Sequence, residues 1–169
     1  MSIIETERLS LRRLSADDAP FYFGLVNEPS WLKYIGDKGV RSIEDAHDAI
    51  QKGPVEMHDR LGFSLLLVEL KDGMVPIGIC GLIKRDTLQD VDIGFAFLPA
   101  YWGKGYALES AAAVMAYGKN VVGLKRLVAI TSPDNASSIR LLEKIGLTYQ
   151  RTLRLTDGAT ETKLFAHDF

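Results

Sequence analysis

The sequence predicts a mixed α/β fold, a central and mainly antiparallel sheet opened by one parallel strand pair, with helices on both faces. Three observations lead there. Apolar runs at residues 63–70 and 76–83 flank Asp72-Gly73, and runs at 147–155 and 160–169 flank Asp157-Gly158. An Asp-Gly pair between two such runs signals an antiparallel hairpin. From residue 91 to 146 the pattern is instead strand, helix, strand, helix, and strands separated by a helix are the ones that pair in parallel. Finally, 169 residues with 47% hydrophobic and 25% charged content suit one domain, residues 1–169, whose core needs no disulfide.

The elements follow in order. Residues 8–14 alternate apolar and polar side chains, the period of a half-buried strand, and form the first strand. Ser15 caps a helix with Asp17 and Asp18 in its first turn, which runs to about Asn27 and stops at Glu28-Pro29. Pro29 opens a short helix to Tyr34, because a first helical residue needs no N–H. Residues 36–39 read as loop, and Ser42 caps a further helix with Ile43, Ala46 and Ile50 on one stripe, ending before Leu61. After the first hairpin comes a strand at 91–98. A helix then carries Leu108, Ala111, Met115, Gly118 and Val122 on one face. A short strand at 125–131 and a helix from Asn135, closed by Gly146, complete the pattern before the last hairpin.

Composition narrows the function. A net charge of −2 offers no broad cationic field for nucleic acid or anionic lipid, and it is compatible with a small cationic acceptor. No apolar stretch approaches the length of a membrane span, and the acidic start at Glu5 and Glu7 lacks a signal-peptide layout, so the expected place is the cytoplasm. The one cysteine, Cys80, has no partner for a disulfide or a thiolate metal site and reads as a small packing residue. His47, His58 and His167 lack metal-ligand spacing, so no metal is expected. A monomer or a homodimer fits equally.

The stretch Tyr101-Trp102-Gly103-Lys104-Gly105-Tyr106-Ala107 joins a strand to a helix. Pro99 stops the strand, and two glycines let the backbone turn with no Cβ in the way. A helix starting directly after such a turn presents free N–H groups and a positive dipole end, which is a phosphate or pyrophosphate site. The dinucleotide fingerprint would need glycine where Leu108 stands, and the nucleotide phosphate loop would need Ser or Thr after a Gly-Lys pair, so both fail. An ordinary tight turn remains the competing reading.

Three stretches, Glu7-Arg8 with the Leu9 to Arg12 run, residues 99–107 and residues 135–146, together resemble the GNAT superfamily of N-acetyltransferases, in the branch that acetylates ribosomal-protein alanine. The resemblance spans nearly the whole chain. It implies acetyl-CoA as donor and a primary amine as acceptor. It implies that Gly103, Lys104, Gly105, Tyr106, Ala107 and Leu108 offer backbone N–H groups to the CoA pyrophosphate. Phe97 and Leu98 would pair with the pantetheine arm at a splayed strand pair, and Asn135 and Ser138 match polar positions at the start of the next helix.

The resemblance also implies catalytic roles. Asp92 stands where the family often places a carboxylate base, although an outer-face aspartate reads the same way. Many members carry a tyrosine acid where this chain has Leu142, so Ser138 becomes the candidate donor to the leaving thiolate, against a local helix-start hydrogen bond. No covalent enzyme intermediate is required, and a backbone N–H near Phe97 would stabilise the oxyanion. Two rival functions stand beside this one: a CoA-binding sensor or scaffold without catalysis, and a nucleotide-binding domain of unrelated type. Protein N-terminus, amino acid, polyamine and antibiotic amine all remain open as acceptors.

Overall fold

The computed structural model describes residues 1–169. Its centre is one eight-stranded sheet in the order β1-β2-β3-β4-β5-β6-β8-β7. These strands are β1 (Ser2–Glu5), β2 (Leu9–Arg13), β3 (Leu65–Leu70), β4 (Val75–Ile83), β5 (Asp92–Phe97), β6 (Arg126–Thr131), β7 (Thr148–Leu153) and β8 (Thr162–Asp168). Every neighbouring pair is antiparallel except β5 and β6, which run parallel and share one bridge, Asp92 with Val128. The expected topology is therefore present. Strand β8 lies between β6 and β7, so the last hairpin joins the sheet through its second strand.

Helices cover both faces. On one, α5 (Tyr106–Tyr117) and α6 (Ala136–Lys144) pack Ala111, Val114 and Leu142 against Leu9, Leu11, Val68, Ile93, Phe97, Leu127 and Phe165. On the other, α1 (Ala19–Val26), α2 (Pro29–Tyr34) and α3 (Ile43–Ile50) bury Leu25, Trp31, Ala46 and Ile50 against Leu67 and Ile79. Strand β5 serves both cores by alternation. Ile93 and Phe97 face the α5 side, while Ala96 and Leu98 face α1 to α3.

Four expectations need correction. The first strand is β1 at Ser2–Glu5, since residues 8–14 supply β2. The helix from Ser42, capped as expected by the Asp45 N–H on its hydroxyl at 3.0 Å, does not end before Leu61. Its hydrogen bonds reach back five residues instead of four over Gln51–Val55, a wider turn that holds Pro54, which has no N–H to donate, and it continues as α4 (Glu56–Leu61). Ile43 is 46% exposed, because only Ala46 and Ile50 of its stripe reach the core. Leu108 is 36% exposed for a similar reason: α5 begins at Tyr106, and its buried face is Ser110, Ala111 and Val114.

Candidate active site

The glycine turn is built as a cradle of amides. Gly105 takes φ 83°, Gly103 takes φ 74°, and these left-handed conformations suit glycine. Gly105 caps α5, and the first helical hydrogen bond runs from the Glu109 N–H to the Gly105 carbonyl at 3.0 Å. No acceptor in the protein takes the N–H of Gly103, Lys104, Gly105, Tyr106, Ala107 or Leu108. A Cβ placed on Gly103 would meet nothing within 4 Å, so the space over the turn is open. Six consecutive free donors at the positive end of a 12-residue helix form an anion site on physical grounds alone.

A second open feature leads into the sheet. The Val128 N–H donates to the Val91 carbonyl at 3.0 Å, and beyond the Asp92–Val128 bridge β5 and β6 pair no further. The Leu98 N–H donates to the Ile77 carbonyl on β4, so by alternation Ile93, Phe95 and Phe97 turn their backbone groups toward β6. The unpaired edge therefore starts near Ile93 and ends at the glycine turn. Leu98 turns its N–H to β4, and its carbonyl accepts from the Tyr101 N–H at 3.0 Å, which leaves the second lone pair of that carbonyl as the group Leu98 can offer an arm. Phe97 keeps its N–H, whereas its carbonyl accepts from the Trp102 indole Nε1 at 2.9 Å. Phe95, with the same parity as Phe97, was missed from sequence because parity shows only once a register is fixed.

Asp92 stands at the joined end of this edge, on the α1 to α3 side, and is 1% exposed. Its Oδ2 accepts from the Arg85 Nε at 2.9 Å, while its Oδ1 is buried with no partner. Burial pushes the carboxyl above its ordinary pKa, against the opposing pull of Arg85. Across the opening, Asn135 caps α6 by accepting the Ser138 N–H on Oδ1 at 3.3 Å, which leaves its Nδ2 unused. The Ser138 hydroxyl makes no hydrogen bond, and Leu142, one turn further on, is packed in the core at 1% exposure. Cys80 is buried too, and burial pushes its thiol up to about 12, which agrees with a packing role.

The family model described as Acetyltransferase (GNAT) domain matches residues 8–148. The chain belongs to the GNAT acetyltransferase family. It is 30% identical over 154 residues to the uncharacterized N-acetyltransferase YoaA of Bacillus subtilis, covering 90% of this chain and 86% of that one. A solved GNAT acetyltransferase from Bacillus anthracis shares 27% identity at a TM-score of 0.80, over 98% of this chain and 97% of that chain. RimL, a ribosomal L7/L12 α-N-protein acetyltransferase solved with coenzyme A, shares the fold at a TM-score of 0.84 and 18% identity, over 99% and 98% of the two chains. As a GNAT member the chain is an acetyl-CoA-dependent N-acetyltransferase. The amide cradle and the open β5 edge fit that donor, which carries a pyrophosphate at one end and an extended amide arm at the other. No group of three or more His, Cys, Asp or Glu side chains comes together in a metal-binding arrangement, and no helix is long and apolar enough to cross a membrane.

Proposed function

We propose that this GNAT enzyme acetylates a free α-amine, that of a protein N-terminus, by direct attack on the thioester. The amides of Gly103 through Leu108 hold the CoA pyrophosphate, and the pantetheine arm lies along Phe97 and Phe95 as an added strand. From the turn the arm runs back toward the joined end. Phe97 to Asp92 is five residues, about 16 Å of strand, so the thioester end comes down toward Asp92. Asn135 Nδ2 contacts the arm from the opposite wall.

In the transfer the amine nitrogen bonds to the acetyl carbon, and the carbon–sulfur bond breaks. Asp92 takes the proton that the nitrogen loses, directly or through one water. Ser138 donates a hydrogen bond to the departing thiolate, which takes its proton from water, and the backbone N–H of the free β5 edge at Phe95 faces the developing oxyanion. The observation that carries the acceptor class is the buried, unpartnered Oδ1 of Asp92. A carboxylate is a weak base. It suits an α-amine, whose reference pKa of about 7.7–8.0 leaves part of it free at neutral pH, better than a lysine amine near 10.4. The α-amine specificity named for RimL agrees with this choice.

The test is a pH–rate profile of wild type and Asp92→Asn with two peptides, one with a free α-amine and one with a blocked N-terminus and a free lysine. The raised pKa of Asp92 sets the acid limb, since only its ionised form accepts a proton and activity rises as pH passes that pKa. We expect wild type to prefer the α-amine and Asp92→Asn to lose about 10²-fold in kcat below pH ~8. Equal activity of the mutant at every such pH removes Asp92 as base. A clear preference for the lysine peptide overturns the acceptor class.

A further inference from the structure

The stretch at Thr6-Glu7-Arg8 has no part in the chemistry described so far, yet its side chains reach the glycine turn about a hundred residues away. The Arg8 Nη1 donates to the Lys104 carbonyl at 3.0 Å, and its Nε donates to Glu109 Oε1 at 2.7 Å. Its backbone N–H donates to Glu109 Oε2 at 3.0 Å, and the Thr6 hydroxyl donates to the same oxygen at 2.5 Å. Thr6 is itself fixed, because its hydroxyl oxygen accepts the Leu9 N–H at 3.0 Å. The guanidinium lies 4.4 Å from the Tyr106 ring centroid, and its Nη2 is 3.2 Å from where a Cβ on Gly105 would stand. We propose that Arg8, with Thr6 and Glu109, is the positioning device of the CoA phosphate site: it sets the Lys104–Gly105 peptide so that its N–H faces the phosphate, and it cancels the charge of Glu109.

Peptide geometry supplies the first half. In a trans peptide the carbonyl and the following N–H point in opposite directions. Holding the Lys104 carbonyl toward Arg8 therefore aims the Gly105 N–H away from Arg8, to the open side of the turn. A glycine-rich turn has little intrinsic preference between the two orientations of such a peptide, so an external hydrogen bond decides. Electrostatics supplies the second half. Glu109 stands in the first turn of α5, where an unpaired carboxylate would repel a pyrophosphate. Burial works against its ionised form, but the hydrogen bonds from Thr6 and Arg8 outweigh that and hold its pKa below the ordinary value. The Glu109 hydrogen bond likewise raises that of Arg8. The pair is thus charged on both sides and neutral together.

The proposal rests on the glycine turn as the CoA phosphate site, so the test separates the two. CoA and pantetheine, which lacks the pyrophosphate, are titrated by calorimetry into wild type, Arg8→Ala, Arg8→Lys and Arg8→Ala/Glu109→Gln, each checked for a folded melting transition. Wild type should bind CoA more tightly than pantetheine. Arg8→Ala should weaken CoA about tenfold, with pantetheine unchanged, KM for acetyl-CoA raised and kcat within about twofold. Arg8→Lys should fail to restore binding, because one ammonium cannot bridge the Lys104 carbonyl and Glu109 in the fork geometry of a guanidinium. Adding Glu109→Gln to Arg8→Ala should recover part of the loss by removing the bare negative charge. Unchanged CoA affinity in Arg8→Ala, or an equal loss for pantetheine, overturns the positioning role alone. A wild type that binds the two ligands equally overturns the phosphate site and the positioning role together.

Discussion

Two arginines at the ends of one strand do the same thing with different results. Just before β2, Arg8 ties a carboxylate and a carbonyl beside an open turn, and its side chain is 43% exposed. At its other end Arg12 grips Asp18 through two nitrogens at 2.8 and 2.9 Å and Glu69 at 3.1 Å, where both carboxylates are almost wholly buried. Asp18 in turn accepts the Ser15 N–H at 2.8 Å, which fixes the entry to α1. What differs is the surroundings of the partners. Buried carboxylates stripped of their cation cost stability, whereas Glu109, whose side chain keeps 20% of its surface in water, can recover part of its hydration. Arg12 is therefore a device of the fold and Arg8 a device of the site.

The largest expected effect sharpens that division. Arg12→Ala leaves two buried carboxylates uncompensated and should cost about 3–5 kcal/mol in urea unfolding, while Arg8→Ala should unfold near the wild-type midpoint. Comparable midpoints for the two variants would break the comparison.

The same division recurs along α6. Leu142 is packed in the core, whereas Ser138, one turn earlier, keeps a hydroxyl with no partner. Ser138→Ala should lower kcat by about 10²-fold with KM for acetyl-CoA unchanged and the melting transition intact, because a hydrogen bond to the sulfur strengthens only as thiolate charge develops in the transition state. Wild-type kcat under conditions where chemistry limits the rate would return Ser138 to a local structural role.

What the sequence made legible follows from how far each interaction reaches. The Asp72-Gly73 and Asp157-Gly158 hairpins, the Ser42 and Asn135 caps and the two glycines of the turn depend on residues a few positions apart, and all stand where local chemistry places them. β1 was missed because four residues carry too little alternation to register against β2. The helix from Ser42 was expected to end before Leu61, and a widened turn at Pro54, which no local pattern signals, carries it to Leu61. The backbone commitments of Leu98 were hidden, since they depend on which neighbour β4 offers. Arg8 and Glu109, 101 residues apart, meet only in the folded chain, and no local signal in either stretch names the other.

The central claim is that free amides over Gly103 and Gly105 make the CoA site. It is tested most directly by calorimetric titration of CoA into Gly105→Val, a protein whose valine must adopt a φ near 83° with the Arg8 Nη2 close by. A β-branched residue resists that conformation, by about 1–3 kcal/mol, and shifting to relieve it misaims the surrounding N–H groups. The account predicts a folded protein whose CoA affinity falls about tenfold or more while pantetheine affinity holds. A folded Gly105→Val protein that binds CoA as wild type does would contradict it.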